Sequence, residues 1–258
     1  MAFLELKVSS EQIKKQTMVN VILPDIKKRN PDTPIKTLYL LHGLSNNHTA
    51  WRNNSCIERY ASEYNIAVVM PDGDRFWYTD TVFGMNYFTY LTEELPSICR
   101  TFFGGLSDKR EDNFIAGLSM GGYGAVKAAM WCPEKYAGCF SLSGSLDITR
   151  KGRPCDLPLW RAIFKPDMES PLELENTEHD LFYKAKVNAE KGVDFPKIKF
   201  WCGTEDSLLC ANRNYHAHLE SLGIQHEYSE SEGDHSWKWW DMHIRDGLEF
   251  FFGEGKKL

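Results

Sequence analysis

Five consecutive residues, Gly117-Leu118-Ser119-Met120-Gly121, place a serine between two glycines. The strand-like run Asn113–Ala116 comes before them and the helix-like stretch Gly121–Trp131 after them. A serine hydroxyl attacks a carbonyl carbon only when a base takes its proton, a third group orients that base, and donors stabilise the oxyanion that forms. Strand, tight turn and helix are the context in which such a serine is exposed on a nucleophile elbow, which makes Ser119 the candidate nucleophile. Gly117 and Gly121 fit because the elbow presses its backbone against neighbouring strands and leaves no room for a Cβ. Gly122 and Gly124 extend the close packing.

The base is expected after the last strand. Glu232-Gly233-Asp234-His235-Ser236-Trp237 follows the strand-like Gln225–Ser231, so His235 takes that role. His216 and His218 stand two apart on a helix and face different ways, and His42 lies near the front of the chain. The orienting acid belongs on the loop after the penultimate strand, where Trp201-Cys202-Gly203-Thr204-Glu205-Asp206 offers Asp206. Glu205 next to it and Asp147 after an earlier strand are alternatives. The chain order Ser, Asp, His favours Asp206. For the oxyanion, the Met120 N–H comes with the elbow, and the Leu44 N–H is the second candidate, at the end of Leu40-Leu41-His42-Gly43-Leu44. This loop reads HGLSNN where many lipases have HGGG, so a side chain stands in the wall of the acyl pocket.

Aromatic residues crowd the segments expected at the same end. Phe76, Trp77 and Tyr78, with Tyr123, Trp160 and Trp237, are the candidates to line a compact acyl or aryl pocket, although each taken singly more often closes a core. Asp72-Gly73-Asp74 begins like a calcium loop but lacks further oxygen ligands at regular spacing, and is read as a turn. Neither a metal nor a cofactor is needed for this chemistry.

The elements that must hold these residues are legible as short apolar runs. Leu4–Val8 and Thr17–Leu23 read as an opening hairpin. Thr37–Leu41, Ile66–Met70, Asn113–Ala116, Cys139–Ser143 and Lys199–Cys202 read as strands buried on both faces. Helices are predicted at Trp51–Tyr64, Tyr87–Phe102, Gly121–Trp131, Ser207–Leu222 and His235–Phe251. The alternation predicts an α/β fold of the α/β-hydrolase type, a mostly parallel sheet with helices on both faces. Residues 147–196, rich in Pro, Asp and Glu, break the alternation and read as a cap-like insertion after the sixth strand, within one catalytic domain spanning 1–258.

The 258 residues are 42% hydrophobic and 13% aromatic, enough for one large core. A net charge of -6 gives no attraction to nucleic acid or to an anionic membrane, so the expected partners are a small ester and water. Neither a signal-peptide-like run nor an apolar stretch of spanning length is present, which leads to the expectation of a cytoplasmic protein. Seven cysteines without CxxC spacing read as reduced thiols.

Taken together, Leu41-His42-Gly43-Leu44, Glu94-Leu95-Pro96, Gly117 to Ala125, Gly203-Thr204-Glu205-Asp206 and Gly233-Asp234-His235-Ser236-Trp237 give the chain a pattern that resembles the esterase D family. It looks most like the bacterial tributyrin-esterase branch. The resemblance spans residues 40 to about 240 and implies a cofactor-free esterase of short acyl chains, acetyl to butyryl, often a homo-oligomer. It implies the same set of Ser119, Asp206 and His235, with the Leu44 and Met120 amides as the hole. The family also holds S-formylglutathione hydrolases, acetyl and feruloyl esterases of plant polysaccharides, and mycolyltransferases, so a thioesterase or a polysaccharide esterase is the alternative. A binding protein on the same fold is disfavoured because every member of the chemical set is present. Acyl transfer of the mycolyltransferase kind is disfavoured by the lack of an export signal.

Overall fold

The strands that sequence periodicity marks out assemble into one eight-stranded sheet in the computed structural model, which describes residues 1–28, 30–149 and 155–253. In chain order these are β1 (Ala2–Ser10), β2 (Lys15–Leu23), β3 (Thr37–Leu41), β4 (Ala67–Pro71), β5 (Asn113–Leu118), β6 (Gly138–Leu142), β7 (Lys197–Gly203) and β8 (Glu227–Ser231). The spatial order is β1-β2-β4-β3-β5-β6-β7-β8. β1 pairs with β2, and β2 with β4, antiparallel; every later pair is parallel. The swap of β3 and β4 puts β3 and β5 side by side in register, Leu41 opposite Gly117. Their carboxyl ends therefore deliver two loops to one place, which is where parallel sheets carry their sites.

β3, β4, β5 and β6 are buried along their whole length. That is why they read as unbroken apolar runs, whereas at the sheet edges β1 mixes exposed and buried positions and β8 has exposed and half-buried ones. Helices cover both faces. On one face lie α4 (Leu95–Phe102), α5 (Met120–Trp131), α7 (Leu181–Glu190) and α8 (Leu209–Ser221), packed over Tyr39, Val69, Ile115, Cys139 and Phe200. On the other lie α1 (Ala50–Asn54), α2 (Ile57–Tyr64) and α9 (Trp237–Phe252), over Leu38, Leu40, Phe114, Phe140 and Trp201. Among the described residues no helix is long and apolar enough to cross a membrane.

Three predicted helices differ in the structure, each for a local reason. The stretch 51–64 divides into α1 and α2, because the Ser55 side chain bonds back to the Trp51 carbonyl and the Cys56 N–H is taken by Asp241. The stretch 87–102 opens into a wide π turn at Tyr90–Glu94 between α3 (Tyr87–Thr89) and α4. Pro96 has no N–H for the Thr92 carbonyl, which instead accepts from Lys135 Nζ at 3.0 Å. The last helix begins at Trp237, so His235 stands on the preceding loop.

The segment between β6 and β7 falls into two parts, with residues 150–154 outside those described. α7 is a crossover helix lying on α5, tied there by Asn188 Nδ2 to the Met130 carbonyl at 2.7 Å. α6 (Leu157–Ile163) sends Trp160 against Trp77 in the loop after β4. Of the seven thiols, Cys99, Cys139 and Cys202 are buried and Cys56 and Cys210 exposed, and all are free.

Candidate active site

β5 ends and α5 begins at Ser119, whose backbone is held at φ 55° and ψ -116°. This conformation is sparsely populated for a residue with a side chain, and it turns the hydroxyl out of the elbow. The strain is held by backbone bonds on both sides: Ser119 N–H to the Leu142 carbonyl at 2.9 Å, and Ser145 N–H to the Ser119 carbonyl at 3.1 Å. A methyl group on Gly117 would stand 2.3 Å from the Gly121 carbonyl oxygen, and one on Gly121 would stand 2.5 Å from that of Leu41. Both obstacles are backbone at the junction of β3, β5 and α5, so neither can swing aside. Gly121→Ala is expected to cost about 2–4 kcal/mol, read as a lowered melting temperature together with lost activity.

His235 Nε2 lies 3.0 Å from Ser119 Oγ, and His235 Nδ1 lies 2.8 Å from Asp206 Oδ2. An ionised carboxylate can only accept, so the proton sits on Nδ1 and Nε2 is left to accept from the serine hydroxyl. The Asp206 side chain is fully buried, while that of His235 is 33% exposed. Burial pushes the Asp206 carboxyl up. The hydrogen bond and charge of His235, the Leu208 N–H at 2.8 Å and the Ser143 hydroxyl outweigh it and hold the group below the usual carboxylate range. Asp206 thus stays ionised beside the imidazole.

The two loops that carry these residues are clamped together. Thr204 N–H donates to the Ser231 carbonyl at 2.8 Å, and Glu205 N–H to that of Gly233 at 3.0 Å. The Glu205 carboxylate accepts the Gly233 N–H in return at 2.7 Å, which holds its carboxyl below the ordinary range. Glu205 therefore braces the histidine loop and does not face the imidazole. Asp147, the other alternative, is taken by the N–H and hydroxyl of Thr149. His216 and His218 do face apart, toward His226 and the Phe182 carbonyl.

Met120 follows the serine, and Leu44 follows a glycine that lies close to it. A methyl on Gly43 would come within 3.4 Å of Ser119 Cβ, so the loop after β3 touches the elbow. Among the described residues neither the Leu44 nor the Met120 N–H donates to another backbone group. The orientation of the first is set by His42, whose place near the front of the chain counts against it as the base. Its Nδ1–H donates to the Gly43 carbonyl at 2.8 Å, and its Nε2 accepts the Gly73 N–H at 2.8 Å. Gly43 C=O and Leu44 N–H belong to one trans peptide, so pinning the carbonyl aims the N–H the opposite way. The signal was the adjacency itself, a ring one residue before the peptide it fixes.

The aromatic residues are placed differently from expectation. Trp77, Tyr78, Tyr123 and Trp160 are all at most 2% exposed and present no open face to a ligand. Positive φ at Trp77 and Tyr78, 54° and 46°, turns both rings inward. Trp77 packs edge-on against Tyr123 and Trp160, with ring centres 5.7 and 4.9 Å away. Tyr78 lies on α5 at Gly124 and donates its hydroxyl to the His42 carbonyl at 3.1 Å, bracing the loop after β3 from beneath. Phe76 packs on Tyr87 with the rings tilted 32° to one another. Trp237 is the exception, partly exposed two residues beyond His235 and packed edge-on against Trp51. Asp72, Gly73 and Asp74 form the turn read from sequence, with Asp74 N–H bonded to Asp72 Oδ1 at 3.0 Å and the Asp74 carboxylate engaged by Lys15 and Tyr87.

The fold and the sequence have counterparts among known proteins. The Esterase family matches residues 10–251. An acetyl esterase of Caldicellulosiruptor saccharolyticus is 33% identical over 97% of this chain and 98% of its own length. The Staphylococcus aureus fluorophosphonate-binding serine hydrolase F, solved with substrate bound, is 32% identical at a TM-score of 0.89, covering 98% of this chain and 99% of that one. An S-formylglutathione hydrolase of the same organism is 31% identical at a TM-score of 0.85, covering 97% and 98%. With a family match over nearly the whole chain and an α/β-hydrolase fold beneath it, this protein belongs to the Esterase family and is a carboxylic ester hydrolase.

Proposed function

We propose that the chain is a serine carboxylesterase of the tributyrin-esterase kind, hydrolysing acetyl to butyryl esters through an acyl-enzyme. The reading is carried by the unbroken hydrogen-bonded path from Ser119 Oγ through His235 to the buried Asp206. As Ser119 Oγ bonds to the carbonyl carbon, His235 Nε2 takes its proton and Asp206 stabilises the imidazolium. The oxyanion faces the Leu44 and Met120 N–H groups. Collapse expels the alcohol, which leaves with the proton from His235. Water, deprotonated by the same nitrogen, then frees the acid and restores the serine.

Short acyl groups are favoured by Leu44, whose side chain is exposed beside the elbow where HGGG lipases carry glycine. The burial of the four aromatic residues works the same way, since it leaves them unable to form a long open channel. The acetyl esterase relative points to the same class. In this reading residues 1–258 are one catalytic domain, with 147–196 a cap-like insertion within it. A thioesterase of the S-formylglutathione type is the second reading, supported by the 31% identity to such an enzyme. A panel of acetyl, butyryl, octanoyl and feruloyl esters with S-formylglutathione separates them. The expected result is a kcat/KM about tenfold or more higher for butyrate than for octanoate. A dominant preference for the thioester overturns the proposal.

A further inference from the structure

Ser231 closes β8, and its Oγ receives Trp201 Nε1–H at 3.0 Å. The same Oγ lies 3.2 Å from Nε2 of His243, on the second turn of α9. The other nitrogen of that ring, Nδ1, donates to Asp246 Oδ2 at 2.7 Å. The imidazole is stacked on the Trp201 indole, with centres 4.0 Å apart and planes 20° from parallel. Its bond to Ser231 stands in either charge state. A neutral ring accepts the Ser231 O–H at Nε2; a protonated ring donates to Oγ, whose own proton then goes to the Glu232 carbonyl at 3.2 Å.

Serine, histidine and aspartate thus meet a second time, but without a nucleophile elbow. Ser231 ends an edge strand, and its backbone lacks the positive φ of Ser119. What the second set does follows from where it stands. Residues 231 and 243 flank the loop that carries His235, so the bond between them joins the root of that loop on β8 to the helix at its far end. Trp201, stacked on the ring, lies in β7, the strand that leads to Asp206. The Ser231 carbonyl accepts the Thr204 N–H of the acid loop at 2.8 Å. One cluster therefore ties together β7, β8 and α9, the three elements whose ends place Asp206 and His235.

We propose that His243 is a positioning residue for the esterase reaction, holding the His235 loop through its bond to Ser231 so that the imidazole stays aimed at Ser119. The inference rests on the Ser119, Asp206 and His235 assignment above. Among the described residues His243 bonds to Ser231 and Asp246 and to none of those three. Its effect therefore falls on the geometry of proton transfer and not on substrate binding. A displacement of about 1 Å at a catalytic group can cost on the order of 100-fold in rate. The loop keeps its clamps to Glu205 and Thr204 when His243 is changed, so the loss is partial.

The test compares wild type with His243→Phe, His243→Gln, Ser231→Ala and the double variant Ser231→Ala with His243→Phe. The measurements are steady-state turnover of p-nitrophenyl acetate, thermal melts, and the site of fluorophosphonate labelling. Phenylalanine keeps a ring on Trp201 and removes the bond to Ser231; glutamine can place its amide where Nε2 stood and removes the stack. His243→Phe is expected to lower kcat roughly 3- to 30-fold with KM changed by less than about twofold, and His243→Gln to recover most of that loss despite a lower melting temperature. In the double variant the losses should not add, and kcat should fall about as far as in the worse single variant. His243→Phe at wild-type kcat, or additive losses in the double variant, would overturn the proposal. So would a loss in His243→Gln at least as great as in His243→Phe, or activity that follows melting temperature across the set, since His243 would then serve the fold alone. Label on Ser231 would overturn it too, marking the second set as reactive. If Ser119 failed to label in active wild type, the catalytic assignment would fall and this inference with it.

Discussion

Ser119→Ala is expected to lower kcat for p-nitrophenyl acetate by roughly four orders of magnitude or more, with the melting temperature little changed. The loss amounts to about 5–6 kcal/mol of transition-state stabilisation. In the proposed mechanism it is large because the variant removes the atom that would form the covalent bond, and water held by His235 is a poor substitute for an oriented alkoxide. The fold should survive. The elbow is held by the Leu142 and Ser145 backbone bonds and by Gly117 and Gly121, none of which uses the hydroxyl. Steady-state turnover and a thermal melt on the same preparation check both halves of the expectation.

Asp206→Asn should cost roughly 10³- to 10⁴-fold in kcat with KM nearly unchanged. The reason is directional. Oδ1 of Asp206 accepts the Leu208 N–H, so the asparagine oxygen takes that place and its NH₂ group falls opposite His235 Nδ1. That nitrogen must then accept, which moves the imidazole proton to Nε2, where it faces Ser119 and cannot receive the serine proton. Asp206→Ala removes this wrong donor and is expected to lose less. The pH profile of wild type bears on the same residue. Because Asp206 is held below the ordinary carboxylate range, it stays ionised as pH falls toward its unfolded value and its contribution to the folded state is lost only below that.

Much of this arrangement is legible in the chain because it depends on local patterns. β3, β5 and β6 are buried on both faces, so they stand out as apolar runs. The glycines around Ser119 mark a turn with no space for side chains, and His235 and Asp206 follow the last two strands. What could not be read depends on backbone angles or distant pairing. Nothing in the residue types of Trp77 and Tyr78 announces a positive φ, yet that angle turns their rings into the core and removes them from a substrate wall. His42 is visible beside Gly43, but its role rests on Gly73, which reaches it only because β3 and β4 are neighbours. Ser143 and Trp240 are 97 residues apart and meet only when α9 packs back over the sheet.

The central claim is that Ser119 is acylated during turnover. Rapid quenching with p-nitrophenyl butyrate followed by peptide mass mapping tests it directly. A burst of about one p-nitrophenol per protein chain, with the butyryl group on the peptide that contains Ser119, is the expected result. Turnover at full rate with no acyl group on that peptide, or with the group on another side chain, would contradict the account.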